Sequence, residues 1–278
     1  MLTLSDSLLV FTDLDGSLLD HDTYDWSPAL PWLERLKAAG APVIINTSKT
    51  AAEIMVLREK IGLKGPFIAE NGASIHLPAD WVNDEPIGES GMAAVVLGAS
   101  YQRIREVLEA IRETQEFSFS GFGDFTDEDV AECTGLDLES AHLAHLRGAS
   151  EPMLWHDSDE ALERFELLLV GASLSLTRGG RFYHVMGEHS SKGRAMAWLT
   201  RRYEEKFGIS PRTVGLGDGP NDVPMLDAVD AAVVIRGHHH LEIAVADESK
   251  TYRTRAYGPT GWSEGMDYWL GDGHGGRV

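Results

Sequence analysis

The sequence has little that would cross-link a chain or anchor it in a membrane. Its 278 residues include one cysteine, Cys133, which excludes an intrachain disulfide framework and predicts a reducing compartment, the cytoplasm. No apolar run approaches the length of about 18 residues that a membrane helix needs. The stretch MLTLSDSLLVFTD has no basic start, and Ser5 and Asp6 interrupt its apolar run. We therefore expect a buried strand there and not a signal peptide.

The chain is also poor in basic residues. Lysine and arginine total 24 against 44 aspartates and glutamates, giving a formal net charge of −20. So acidic a surface repels nucleic-acid backbones and anionic lipid headgroups, and we expect neither nucleic acid nor membrane as a partner. With 43% hydrophobic residues, the composition is typical of a globular protein with a substantial core. If the substrate is an anion, a cation or a few basic side chains must counter the net charge locally.

The distribution of apolar residues predicts two domains, one inserted in the other. Short apolar runs such as SLLVFT at 7–12 and PVIIN at 42–46 alternate with amphipathic stretches, which indicates a parallel sheet of βαβ units. The same pattern resumes after residue 188. Between them, two strands at 173–186 predict a hairpin through Gly179 and Gly180. We predict an α/β fold with a parallel-sheet core formed by residues 1–83 and 188–278 and an inserted α+β domain at 84–187.

Two acidic clusters follow apolar strands. Asp13 and Asp15, in the stretch DLDGS, come directly after the first strand, where ligands gather in open α/β sheets. The stretch GLGDGPND places Asp218, Asn221 and Asp222 at the end of a later strand. Carboxylates at a strand end suit Mg²⁺, which prefers hard oxygen ligands. Taken singly, each cluster is also consistent with a plain surface turn or helix cap.

Two further segments carry cations beside hydroxyl groups. Thr47, Ser48 and Lys49 end the second strand, and Ser191 and Lys192 open the helix after the inserted domain. A helix N-terminus and a lysine both attract phosphate. Singly, the first segment is also an ordinary strand-to-helix cap and the second a solvated lysine. Together with the acidic clusters, these residue types indicate phosphoryl transfer.

The order DLDGS, TSK, SKG and GLGDGPND is similar to the four motifs of the haloacid dehalogenase-like phosphatases. The resemblance spans nearly the whole chain and implies a Rossmann-like core, with the insertion as a C2-type α+β cap. More narrowly, several segments resemble the mannosyl-3-phosphoglycerate phosphatase family: Tyr24-Asp25-Trp26, SKT at 48–50, AENGA at 69–73, RFYHV at 181–185, and a GPxGW pattern from Gly258 to Trp262. Ser17 departs from the threonine of many superfamily members but keeps the hydroxyl.

This resemblance implies a Mg²⁺-dependent hydrolysis of a phosphate monoester through an aspartyl-phosphate. Asp13 would be the nucleophile and Asp15 the general acid and base. Thr47 would donate to a phosphoryl oxygen, and Lys192 would balance the charge of Asp13 and the phosphate. Mg²⁺ would be held by the Asp13 carboxylate, the Asp15 backbone carbonyl and Asp218, with Asp222 as an outer or water-mediated ligand.

The resemblance further implies a small phosphorylated glycoside as substrate, with a carboxylate beside its phosphate. We expect Arg181 and His184 from the cap and Ser48, Lys49, Asn71 and Asn221 from the core to contact it. An exposed arginine, a packed histidine and a turn asparagine are equally consistent with three of these residues. Other functions stay open: another sugar phosphatase, a sugar phosphomutase, or a non-catalytic phosphate-binding regulator.

Overall fold

The computed structural model describes residues 2–178, 181–238 and 243–271. Its central sheet has the strand order β12-β11-β10-β1-β2, and every neighbouring pair is parallel. These strands are β1 (Leu8–Thr12), β2 (Val43–Ile45), β10 (Arg212–Gly217), β11 (Ala231–Arg236) and β12 (Thr251–Tyr257). The prediction of an α/β core with a parallel sheet is thereby confirmed.

Helices cover both faces of this sheet. Because side chains of a strand alternate between faces, β1 sends Leu8 and Val10 to one layer and Leu9 and Phe11 to the other. The first layer contains α1 (Leu30–Ala38), α2 (Ala51–Ile61) and α9 (Gly258–Leu270). The second contains α7 (Lys192–Phe207) and the short α8 (Val223–Leu226). Burial on both faces explains why the strands are continuous apolar runs in the sequence.

A three-stranded antiparallel sheet borders the core. It contains β3 (Phe67–Ala69), β4 (Ser74–Pro78) and β5 (Met92–Val96) in that order. Strand β5 pairs with β4 along its whole length. Its Ala93 packs in the same apolar cluster as Leu9 and Phe11, on the face of the central sheet that α7 covers. The sequence-based boundary at residue 84 therefore falls before a strand that packs with the core. We propose that the chain first crosses into the cap at residues 97–99.

The cap is built on a separate antiparallel sheet, as predicted. Its order is β6-β7-β9-β8. The strands are β6 (Phe119–Gly121), β7 (Ser150–Trp155), β8 (Leu174–Arg178) and β9 (Tyr183–Gly187). Helices α3 (Tyr101–Thr114) and α6 (Asp159–Gly171) bury their apolar sides on one face, while α4 (Asp127–Thr134) and α5 (Leu138–His145) cover part of the other side. The predicted β8–β9 connection at 179–180 lies outside the described residues.

The two connections between core and cap lie side by side. Gly187 is the last residue of β9, and a Cβ built on it would lie 2.6 Å from the backbone nitrogen of Ala99. Ser190 donates a hydrogen bond to the carbonyl of Leu97, which ties the second connection to the first. None of the helices in the described part of the chain has the length and apolar character that crossing a membrane requires.

Candidate active site

Asp13 stands at the carboxyl end of β1, in the middle of the parallel sheet. Its backbone nitrogen donates to the Leu216 carbonyl at 2.9 Å, which continues the β1–β10 pairing past the last residue of the strand. Its own carbonyl accepts from Thr12 Oγ1 at 2.7 Å, and that hydroxyl accepts from the buried indole of Trp262 at 2.9 Å. These contacts fix the backbone of Asp13 and leave its carboxylate directed past the strand end.

Lys192 is a fully buried cation between two carboxylates. Its Nζ lies 2.7 Å from Asp13 Oδ1 and 2.6 Å from Asp222 Oδ1. Burial alone would lower the pKa of Lys192, but the charges of Asp13 and Asp222 raise it above its usual value. Lys192 begins α7 directly against the β3–β4 turn, where a Cβ built on Gly72 would lie 2.2 Å from the Ser191 carbonyl oxygen. Only glycine permits this close approach, which sets the position of the lysine.

Three carboxylates converge beside this lysine. Oxygen atoms of Asp13, Asp218 and Asp222 all lie within 4.8 Å of one another. Burial, and then the charges of the other two carboxylates, raise the pKa of Asp218. Burial also raises the pKa of Asp222, against the opposing effect of Lys192. Because one lysine cannot neutralise three carboxylates, the cluster carries excess negative charge that a divalent cation would compensate.

The hydrogen bonds around these carboxylates separate their roles toward such a cation. Asp222 accepts from Lys192 through Oδ1 and from the backbone nitrogens of Asp218 and Gly219 through Oδ2, at 2.6–3.0 Å. Asp218 accepts only from Ser17 Oγ, at 3.1 Å, among the described residues. Asp222 therefore has little capacity left for direct coordination, whereas Asp13 and Asp218 have free oxygen lone pairs. The donor set fits Mg²⁺ held by Asp13 and Asp218, with Asp222 holding the loop.

The segment after β2 brings a second lysine to the site. Lys49 Nζ lies 2.9 Å from Asp15 Oδ2 and 3.7 Å from Glu53 Oε1. Burial would lower the pKa of Lys49, but Asp15 and Glu53 raise it, so the side chain is a cation. Thr47 is fully buried beside this pair, between the ends of β2 and β3. The structure brings these predicted residues close together, and it adds the Lys49–Asp15 ion pair, which the sequence did not indicate.

A cleft of about 250 Å³ opens between the core and the cap. From the core it is lined by Asp15, Tyr24, Ser48, Lys49, Glu53 and Asn221, and from the cap by Phe122, Thr134, Leu136, Ala144, Arg147, Pro152, Arg181, Phe182 and His184. Asn71 lies just behind Asn221 and accepts a hydrogen bond from its Nδ2 at 3.0 Å. The structure thus brings every residue predicted to contact substrate to the cleft or directly beside it.

The two predicted cap residues differ in their surroundings. Arg181 is exposed, and its Nη1 donates to the Cys133 carbonyl at 2.5 Å. His184 is buried on β9, and burial followed by the charge of Arg147 lowers its pKa to about 3. His184 is therefore a neutral imidazole at pH 7, suited to hydrogen bonding with a hydroxyl group and not to pairing with an anion.

Sequence reasoning missed Arg147 and the buried Glu70 beside it. Arg147 Nη2 donates to the Ser48 carbonyl at 3.2 Å and to Ser150 Oγ at 2.7 Å. Glu70 accepts from the backbone nitrogens of Gly148 and Ala149 and from Ser150 Oγ. Glu70 was part of the AENGA segment, whereas Arg147 lies in a short connection between a helix and a strand that gave no sequence signal. These contacts join the cap to the core.

Buried polar atoms without partners are concentrated here. Six buried side-chain nitrogen or oxygen atoms lack a hydrogen-bond partner within the described part of the chain. Arg202 Nε and Asn46 Oδ1 are two of them, and the other four lie in or directly beside the cleft: Asp15 Oδ1, Asn71 Nδ2, Arg147 Nε and His184 Nδ1. Because most buried polar groups in proteins are hydrogen-bonded, unpartnered atoms at a cleft are a feature expected of a site for a polar ligand or water.

Comparison with known families agrees with this geometry. A model of haloacid dehalogenase-like hydrolases matches residues 10–124, which carry Asp13, Asp15 and the segment after β2. A model of sucrose-6F-phosphate phosphohydrolase matches residues 162–270, which carry Lys192 and the second acidic cluster. Neither model alone covers half of the chain, but the two matched segments together carry all four predicted motifs and support the predicted superfamily of haloacid dehalogenase-like hydrolases. Neither model is that of the narrower family.

Solved structures of this superfamily share the fold over almost the whole chain. The sucrose-phosphatase from Synechocystis sp. PCC6803 is 15% identical with a TM-score of 0.64, covering 95% of this chain and 98% of its own. A superfamily phosphatase from Bacteroides thetaiotaomicron is 19% identical with a TM-score of 0.66, covering 95% and 96%. A subclass IIB sugar phosphatase is 20% identical with a TM-score of 0.64, covering 94% and 98%. At these identities the likeness establishes the core-and-cap architecture.

Proposed function

We propose that the protein is a Mg²⁺-dependent phosphatase that hydrolyses a phosphorylated sugar derivative in the cytoplasm through an aspartyl-phosphate on Asp13. The observation that carries this proposal is the position of Lys192. A fully buried ammonium group holds the Asp13 carboxylate at 2.7 Å, at a strand end, inside a cluster of carboxylates. A protein that only bound phosphate would place cations there and would have no need of a carboxylate at the same point.

Asp13 is the nucleophile of the proposed reaction. A carboxylate oxygen of Asp13 forms a bond to phosphorus while the bond from phosphorus to the ester oxygen of the substrate breaks, which splits a difficult hydrolysis into two steps. Lys192 holds the Asp13 carboxylate in place, and the Thr47 hydroxyl supplies a donor for a phosphoryl oxygen. When bound at Asp13 and Asp218, Mg²⁺ would neutralise charge on the phosphoryl group.

Asp15 transfers the protons. It gives a proton to the departing ester oxygen in the first step and removes one from the water that attacks phosphorus in the second. Lys49 holds Asp15 Oδ2 at 2.9 Å, while Oδ1 has no hydrogen-bond partner among the described residues. The ion pair therefore orients the side chain and leaves one oxygen for proton transfer. The cap excludes bulk water from the site while the ester is cleaved.

We propose mannosyl-3-phosphoglycerate, or its glucosyl counterpart, as the preferred substrate. The motifs Tyr24-Asp25-Trp26, AENGA and RFYHV support this choice through their resemblance to that phosphatase family. The cleft offers cations for a second anionic group and the neutral His184 for sugar hydroxyls. Sucrose-6-phosphate is the competing substrate, because one of the matching family models describes enzymes that act on it.

The experiment is a panel of phosphorylated sugars and glycosides assayed for phosphate release with Mg²⁺ and after chelation. We expect Mg²⁺-dependent release, with the highest kcat/KM on a glycosyl-3-phosphoglycerate. Asp13→Asn should abolish turnover and leave the circular dichroism spectrum unchanged, because an amide is neutral and a poor nucleophile. Isomerised product without net phosphate release would indicate a phosphomutase, and tight binding of phosphate esters without turnover would indicate a regulator.

A further inference from the structure

We propose that Arg147 is the specificity-determining residue of the cleft, and that it binds a second anionic group carried by the substrate beside its phosphate. This inference rests on the proposed function, since it concerns the same cleft. Sequence reasoning assigned this contact to Arg181. The structure favours Arg147 because of its burial, its unused hydrogen-bond donors and its position next to the segment that would hold the phosphate.

Arg147 is the most deeply buried of the three cations that line the cleft. Its side chain is 3% exposed, whereas that of Lys49 is 11% exposed and Arg181 is an exposed residue. Lys49 faces two carboxylates, those of Asp15 and Glu53, whereas Arg147 faces one, that of Glu70. A charged contact is stronger where water is excluded and is screened at an exposed site. Arg147 therefore offers the most favourable position for a second anion.

The guanidinium of Arg147 has donors to spare. Of its five N–H groups, only those on Nη2 make hydrogen bonds to the described residues, one to Ser48 and one to Ser150. Nε is buried without a hydrogen-bond partner, although it lies 3.3 Å from Glu70 Oε2. Arginine binds carboxylates and phosphates through two parallel N–H groups, and the unused donors suit such a contact.

Glu70 positions this arginine through an ion pair, with Oε2 3.3 Å from Nε, and leaves the two N–H groups on Nη1 unused. Its carboxylate is occupied by the backbone nitrogens of Gly148 and Ala149 and by Ser150 Oγ, at 2.7–3.2 Å. These bonds fix the segment that carries Arg147 against the core. The left-handed φ of +52° at Glu70, rare for a residue with a side chain, directs the carboxylate to this segment.

The position of Arg147 also sets which substrates it can reach. Its bond to the Ser48 carbonyl places it one residue from Thr47, the proposed phosphate-binding hydroxyl. In a substrate whose phosphate contacts Thr47, an anionic group a few bonds from the phosphate ester would lie within reach of Arg147. The neighbouring His184, neutral and with Nδ1 unpartnered, lies beside it to contact a hydroxyl.

The experiment compares a phosphate ester that carries a carboxylate with its carboxamide analogue, which has the same shape and no charge. We expect the wild type to prefer the carboxylate by roughly 10- to 100-fold in kcat/KM, the value of a charge-assisted contact. Arg147→Gln should reduce this ratio to about 1, mainly through KM, and leave an aryl phosphate within about threefold of wild type. Arg147→Lys keeps the positive charge but lacks the two parallel N–H groups of the guanidinium, so it should retain part of the ratio. Arg178→Gln removes the same charge from the exposed end of β8 and should leave the ratio unchanged.

Several outcomes would overturn the inference. One is a wild type with equal kcat/KM on the carboxylate and carboxamide esters, and another is an Arg147→Gln variant that keeps the wild-type ratio. A third is an Arg147→Gln variant that loses as much activity on the aryl phosphate as on the carboxylate ester. The last is a ratio that falls to about 1 in Arg181→Gln and not in Arg147→Gln. The equal loss would mean that Arg147 only joins cap to core. Kd values for both ligands in an Asp13→Asn background repeat the comparison without turnover. If the wild type hydrolysed no ester, the proposed function would fail, while the Kd ratio would still decide the role of Arg147.

Discussion

Replacing Lys192 by methionine should destabilise the protein by an amount that the geometry sets. The methionine is similar in length but carries no charge, so Asp13 and Asp222 lose the ammonium group that lies 2.7 and 2.6 Å from them. Both carboxylates are buried, and removing one partner from a buried ion pair costs about 3–5 kcal/mol. The free energy of unfolding of a typical domain is about 5–15 kcal/mol, so we expect the variant to fold with reduced stability and to have no turnover.

The loss of stability in Lys192→Met should depend on pH and on divalent cations. Burial raises the pKa values of Asp218 and Asp222, and the charge of Lys192 lowers them, so without Lys192 both should rise further and the folded variant should bind more protons than folded wild type. The difference in unfolding free energy from wild type should therefore shrink as the pH falls from 7 to 5. Mg²⁺ should also shrink it, because binding to the folded state stabilises that state.

Urea denaturation at pH 7 and pH 5, with and without Mg²⁺, measures these differences. Lys206→Met is the matched control, because Lys206 lies in the last turn of the same helix but is exposed and makes one hydrogen bond to the Val82 carbonyl. We expect a change within about 0.5 kcal/mol for this variant. Equal effects of the two substitutions, or a Lys192→Met loss that grows at pH 5, would refute the reasoning.

Three further variants test other parts of the structure. Asp15→Asn should slow the natural ester by roughly 10²- to 10⁴-fold and an activated aryl phosphate much less, and equal losses on the two would contradict its role as acid. Gly72→Ala places a methyl group 2.2 Å from the Ser191 carbonyl oxygen at a φ of +91°, so it should lower both thermal stability and kcat; a wild-type melting temperature would contradict this. Burial lowers the pKa of His76 to about 4, so protonation of this residue should destabilise the fold as the pH falls from 6.5 to 4, and His76→Gln should reduce that slope in the urea-derived profile, with the buried His184 contributing to the remainder.

The sequence predicted the parallel core well because its strands are buried on both faces. Leu8 to Thr12 are all buried, and such strands appear as uninterrupted apolar runs that composition alone reveals. The catalytic candidates were predictable for a related reason. Polar residues directly after buried parallel strands lie at the carboxyl ends of those strands, so Asp13, Thr47 and Asp218 were expected on the same side of the sheet.

The rest depended on contacts between residues distant in sequence. Strand β5 is short and half exposed, with Ala94 and Val96 open to solvent, so nothing local showed that it pairs with β4. Arg147 is separated from Glu70 by 77 positions, and only the packing of cap against core brings the two together. Arg181, which the sequence favoured, belongs to a recognisable motif but lies at the exposed edge of the cleft.

The central claim is that Asp13 is phosphorylated during turnover, and acid quenching within the first turnover tests it most directly. Digestion and mass spectrometry of the quenched wild type should find a phosphate on the peptide that contains Asp13. The same peptide should be unmodified in Asp13→Asn. With an activated aryl phosphate, Asp15→Asn should accumulate more of the modified peptide than wild type, because the second step lacks its base. Full-rate phosphate release with no modification at Asp13, or near-normal turnover in Asp13→Asn, would contradict the account.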